Sequence, residues 1–104
     1  MEAPYVAIAA ADELQPGQMK TVQVNGKRLL LANADGRHYV VDEMCSHEDF
    51  SLALGCVRDG RIKCSLHGSW FDLADGRALE EPACDPLNTY PVVVEAGQVW
   101  VDAG

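Results

Sequence analysis

Residues 45–71 read CSHEDFSLALGCVRDGRIKCSLHGSWF. They contain three of the chain's four cysteines and two of its three histidines: Cys45, one residue, His47; then sixteen residues; then Cys64, two residues, His67. Two short Cys-then-His steps at that separation describe two loop tips closing on one inorganic group. Thiolate and neutral imidazole together are ligands of zinc and of iron. Cys56 lies between the two steps and belongs to neither.

Outward from this stretch the chain reads as strands and turns. Asn25-Gly26, Asp35-Gly36, Asp59-Gly60, Asp75-Gly76 and Ala96-Gly97 recur at short intervals, and Asn-Gly and Asp-Gly pairs accept the positive φ of tight hairpins. Between them lie β-rich runs: Tyr5–Ile8, Thr21–Val24, Arg28–Ala32, His38–Val41, Val57–Ile62 around its turn, Trp70–Leu73, Tyr90–Glu95 and Val99–Val101. Strands at this spacing predict an all-β sandwich or barrel. The Ala-rich stretch Ala7–Leu14 has room for a short helix before Pro16-Gly17. Glu43–Leu54 and Ala78–Leu87 lack strand alternation. They and the Cys64–Gly68 turn are expected at one end of the sheets, where loops on a rigid scaffold carry function.

At 104 residues, with 48% hydrophobic and 23% charged side chains, the chain fits a single globular domain. Its apolar runs are too short for a transmembrane helix. The N-terminal MEAPYVAIAAADELQ has no basic segment before its apolar residues, so it is not read as a signal peptide, and a cytoplasmic location is expected. The net charge of −8 disfavours nucleic acid and anionic membranes as partners and suits contact with basic surfaces. Four cysteines in a reducing compartment favour metal or redox chemistry over a disulfide framework.

Two chemistries compete at the Cys/His pairs. Zinc fingers group their cysteines and space their histidines three to five apart on a helix, whereas here each loop offers one of each and Gly68 follows His67. Structural zinc stays open. A [2Fe–2S] centre accounts for the symmetry, because each loop hands its Cys to one iron and its His to the other. Replacing two thiolates by imidazoles also leaves the oxidised cluster less negative, so it accepts an electron more readily.

Cys45-x-His47, sixteen residues, Cys64-x-x-His67-Gly68, then Phe71-Asp72 and Gly76 resembles the Rieske cluster motif. The whole chain resembles the small soluble Rieske-type ferredoxins of bacterial multicomponent aromatic ring-hydroxylating dioxygenases, with Pro82–Leu87 in the place of the proline loop over the cluster. The resemblance implies an antiparallel β-sandwich with an inserted cluster-binding subdomain, residues 43–85, on a base of residues 1–42 and 86–104. It implies one [2Fe–2S] cluster held by Cys45 and Cys64 on one iron and by His47 and His67 on the other. It also implies a one-electron carrier, not an enzyme, between a flavin-dependent NAD(P)H ferredoxin reductase and a terminal Rieske oxygenase. The small Rieske-like subunit of an assimilatory nitrite reductase and a zinc-stabilised interaction module are the alternatives.

The departures from the family carry information. The extra disulfide of respiratory Rieske proteins would need cysteines where this chain has Phe50 and Leu66. Cys56 and Cys84 do not fit that staple and are read as free, buried, small apolar residues, with a Cys56–Cys84 bridge as the competing reading. Ser69 is present after the second His, but Phe71 has no hydroxyl to offer the cluster sulfurs. This places the expected potential at the low end of the Rieske range.

His38 is expected at the surface or in a hydrogen bond, Trp70 and Phe71 beneath the cluster, and Trp100 in core or sheet-face packing. Glu43, Glu48 and Asp49 are either solvated or an acidic rim around the histidines. With His47 and His67 committed, only His38 is left, so a mononuclear site of two histidines and a carboxylate cannot form. No Gly-rich nucleotide fingerprint is present either.

Overall fold

The computed structural model describes residues 4–44, 51–64, 70–79 and 86–103. Its strands are β1 (Tyr5–Ala10), β2 (Met19–Val24), β3 (Lys27–Ala34), β4 (Arg37–Asp42), β5 (Cys56–Arg58), β6 (Arg61–Lys63), β7 (Trp70–Asp72), β8 (Thr89–Tyr90), β9 (Val92–Glu95) and β10 (Gln98–Asp102). One 3₁₀ turn, Leu52–Leu54, precedes β5. Four two-residue hairpins, at 25–26, 35–36, 59–60 and 96–97, have positive φ at both central residues. That is the turn whose twist matches paired strands. Asp75-Gly76 makes no such hairpin, and only its glycine has positive φ.

The strands form three antiparallel sheets, in the orders β1-β10-β9, β2-β3-β4-β8 and β5-β6-β7. The second sheet is the middle layer. Leu29, Leu31 and Val40 pack with Val99, Val101 and Ala103 of the first sheet. Leu30, Ala32 and Val41 pack on the other face with Leu52, Ile62, Cys64, Phe71, Leu73 and Leu87. β3 is therefore covered on both faces, which explains why it reads Leu-Leu-Leu-Ala without polar alternation. Burial of each large aliphatic chain here stabilises the fold by about 1.5–3 kcal/mol.

Two expectations change. The Ala-rich stretch from Ala7 forms no helix: β1 runs to Ala10 and is paired with β10, because a sheet edge outweighs alanine's helix propensity. Tyr90–Glu95 is not one strand. Pro91 lacks the N–H a ladder needs, so β8 joins the middle sheet and β9 the outer one.

Candidate metal centre

The chain leaves β4 through Glu43 and Met44 and re-enters the described structure at Ser51. Met44 and Ser51 form an isolated antiparallel bridge, and Leu52 N donates to Glu43 O at 2.7 Å. The base of the first Cys/His loop is thus closed like a hairpin. Glu43 fastens it: one carboxylate oxygen accepts from Arg28 Nε at 3.0 Å, and the other accepts from Arg28 Nη2 at 3.1 Å and from Ser51 Oγ at 2.7 Å. Ser51 Oγ in turn accepts from Ala53 N at 3.2 Å and caps the 3₁₀ turn. Glu43 is buried at 5% exposure, so it is neither solvated nor part of an acidic rim. Three hydrogen-bond donors replace the water that burial takes from its carboxylate.

The second loop starts where β6 ends. Cys64 follows Lys63 directly and is 1% exposed, among Ile62, Phe71 and Leu73. The two loop bases touch at Gly55, where a Cβ would lie 1.7 Å from Lys63 O. Only glycine lets the return of the first loop press against the take-off of the second. A third crossing lies alongside. Gly76, at φ +77, leaves room for Leu87 O, which a Cβ would meet at 2.1 Å, and its own carbonyl accepts from Leu87 N at 2.7 Å.

Asp42 ties this third crossing to the first. Its N–H donates to Asn88 O at 3.1 Å, and its carboxylate accepts from Asn88 N at 3.3 Å and from Tyr90 Oη at 2.6 Å. Burial, and then the Asp42 carboxylate, push the Tyr90 phenol up to about 12.

Of the four ligands expected from the sequence, Cys64 lies among the described residues, while Cys45, His47 and His67 lie outside them. Glu48, Asp49, Ser69 and Cys84 lie outside them too. Among the described residues no three Cys, His, Asp or Glu side chains gather as a metal site. The donor chemistry nevertheless fits a thiolate-bound group. Cys64 is a free, buried thiol with no hydrogen-bond partner among the described residues, and it stands where both loop bases converge.

Cys56 corrects the sequence reading. It is free, and it is exposed instead of buried. In a three-residue strand with Val57 turned inward, its neighbours face out. Phe71 is fully buried in the core. Trp70 instead lies on the outer face of β7, half-buried, with the Lys63 ammonium 5.7 Å from its ring. Trp100 is half-buried and donates to Glu95 O at 3.2 Å, a sheet-face position. His38 is half-buried, and its Nε2 has no hydrogen-bond partner among the described residues. Desolvation lowers its pKa below the ordinary value.

The sequence profile of the Rieske [2Fe–2S] domain matches residues 4–91. The chain belongs to the Rieske [2Fe–2S] family. A Rieske protein carries one [2Fe–2S] cluster, which decides between iron–sulfur and zinc at the Cys/His pairs. Among relatives, it is 31% identical over 99 residues to the biphenyl dioxygenase ferredoxin subunit of Pseudomonas sp. strain KKS102, covering 94% of this chain and 91% of that one. Among solved structures, a chain in the complex of reduced oxygenase and oxidised ferredoxin of carbazole 1,9a-dioxygenase superposes with a TM-score of 0.90 at 27% identity, over 97% of this chain and 94% of that one. The small subunit of a putative NADPH nitrite reductase superposes with a TM-score of 0.81 at 27% identity, over 93% and 96% of the two chains. No helix among the described residues is long and apolar enough to cross a membrane.

Proposed function

We propose that this Rieske protein is the ferredoxin of a multicomponent aromatic ring-hydroxylating dioxygenase. It carries single electrons from a flavin-dependent NAD(P)H ferredoxin reductase to a terminal Rieske oxygenase in the cytoplasm, and converts no substrate itself. Bound [2Fe–2S] supplies one reversible electron. Cys45 and Cys64 hold one iron, and His47 and His67 hold the other. The chain's own contribution is positional: Glu43 clamps the first loop base, Gly55 lets the second press against it, and Asp42 binds the third crossing to the first. Leu52, Phe71 and Leu73 line the apolar side. We also divide the chain into a base, residues 1–42 and 86–104, and a cluster-binding subdomain, residues 43–85. The Asp42–Asn88 pairing at the two crossings supports that division.

The observation that carries the reading is the buried Cys64, without a partner among the described residues, at the meeting point of the loop bases. It is set in a chain that spans 91% of a dioxygenase ferredoxin subunit. His38 sits at the start of β4, roughly 13 Å along the strand from Asp42, so no spare histidine is placed for a mononuclear iron site. The nitrite reductase reading rests on a superposition of lower TM-score, 0.81 against 0.90.

Reductive titration followed by visible absorption and EPR tests the proposal. A reddish-brown protein with a rhombic ferrous–ferric signal is expected. Its midpoint should lie toward the lower limit of the Rieske range, about −150 mV, since Phe71 offers no hydroxyl. A colourless, EPR-silent, zinc-containing protein overturns it. Tight co-purification with a large nitrite reductase subunit would transfer the carrier to that system.

A further inference from the structure

The β5-β6-β7 sheet has one face in the core and one outside, and the register fixes which residues share them. Val57 opposes Ile62, and Ile62 opposes Phe71, on the inner face. Cys56 opposes Lys63, Arg58 opposes Arg61, Lys63 opposes Trp70 and Arg61 opposes Asp72 on the outer one. The outer face therefore presents Arg58, Arg61 and Lys63 on neighbouring rungs, and none of the three is ion-paired among the described residues. Asp72 is the one acid on these rungs, and one of its carboxylate oxygens already accepts from Ala74 N at 2.9 Å. Asp59 lies in the hairpin turn, at the end away from Cys64.

This concentration is out of proportion to the chain, which has 8 Lys and Arg against 16 Asp and Glu. Three of the 8 basic residues share one small face in a molecule of charge −8. The face also carries apolar contact area. Trp70 lies beside Lys63, and Leu54, next to Cys56 and Lys63, is 66% exposed, the most exposed large hydrophobic side chain among the described residues. Unpaired cations around an aromatic ring and an exposed leucine match the composition of an interface, with Trp and Arg enriched at its centre. Position completes the case: β6 runs into Cys64, and β7 begins straight after the second ligand loop.

We propose that the outer face of β5-β6-β7 docks an acidic surface of the terminal oxygenase. The proposal rests on the electron-carrier reading given above. The oxygenase is the occupant because a chain of this fold and length is seen in complex with an oxygenase, and because three unpaired cations call for carboxylates opposite them. Opposite charges steer encounter, and a redox interface of this kind is small and short-lived.

The test measures electron transfer with the oxygenase and the reductase that sustain hydroxylation by the wild-type ferredoxin. Arg58→Glu and Arg61→Glu are compared with Arg37→Glu, an exposed cation on β4 beside the 35–36 turn, which changes net charge equally. Each variant is first checked for the wild-type visible and EPR spectrum, and Arg61→Gln serves as a milder second variant. The expected result is a roughly tenfold or larger rise in the oxygenase's KM for the ferredoxin with Arg58→Glu and Arg61→Glu, at unchanged kcat. Arg37→Glu should leave that KM unchanged, and the reductase step should stay the same in all three. Equal effects from Arg37→Glu, effects confined to the reductase step, or no effect at all would each overturn the assignment. Wild-type protein that shows the cluster spectrum but sustains hydroxylation with no pair of oxygenase and reductase would overturn the carrier reading instead.

Discussion

Glu43 is a carboxylate removed from water beside a guanidinium that remains in it: their side chains are 6% and 64% exposed. The two deletions are therefore unequal. Arg28→Ala strands a buried charge and is expected to cost about 3 kcal/mol. Glu43→Gln frees an arginine already solvated and should cost about 1–2 kcal/mol. Denaturant unfolding of both variants measures the difference, and equal losses would contradict this account of the clamp. The sequence placed Glu43 beside Cys45 but gave no hint of its burial, because Arg28 lies 15 residues away and across a strand. Cys56 differs from its expected burial for a related reason: the alternation about Val57 sets its exposure, against cysteine's general preference for the interior. Iodoacetamide on native protein should modify Cys56, while Cys64 reacts only after unfolding; peptide mass mapping reads both. His38 yields a pH prediction. Burial lowers its folded pKa, so the unfolded chain takes up the proton first. Its contribution to stability is complete above about pH 6.5 and is lost as pH falls through the folded value. Melting curves of His38→Gln between pH 7.5 and 5 should be flatter than those of the wild type.

At the scale of elements, glycines with different surroundings should respond differently. Gly55→Ala must push the 3₁₀ turn off Lys63 O, and iron content and melting temperature should fall together. Gly36, at φ +91, has nothing within 4 Å of its would-be Cβ. Gly36→Ala should therefore cost only the left-handed backbone penalty, about 1–2 kcal/mol, with iron content unchanged. Tyr90 locks β8 to the end of β4. Its raised pKa means that the lock is complete below about pH 10, the ordinary phenol value, and is lost as pH rises through about 12. Tyr90→Phe should lose stability at neutral pH and show less of the wild type's further decline above pH 10. The hairpins were legible, since Asn-Gly and Asp-Gly carry their turn geometry in two residues. The Ala-rich segment and the run through Pro91 were not, since pairing with β10 decides the first and membership of separate sheets splits the second. The spacing singles out Cys45, His47, Cys64 and His67 as the proposed ligands. What the spacing could not convey was that Gly55 and Gly76 are the points where the three crossings pass one another.

For the molecule as a whole, net charge is a poor guide to surface character. A value of −8 suggests a uniformly acidic particle, yet Arg58, Arg61 and Lys63 share one side of it. The layering has a broader effect. Leu29 and Leu31 of β3 wall one core while Leu30 and Ala32 wall the other, so neither core can loosen without taking a wall from its neighbour. Chelating the iron under reducing conditions should therefore speed amide hydrogen exchange in β1, β9 and β10 along with β5–β7, because a group that binds only the folded state stabilises everything that folds with it. Exchange confined to β5–β7 would show that the two cores open separately. In a living cell the same shared wall makes iron supply a determinant of protein lifetime. Chains that miss their metal expose both cores to proteases together, and their abundance should decline with iron starvation even while the messenger is still being translated.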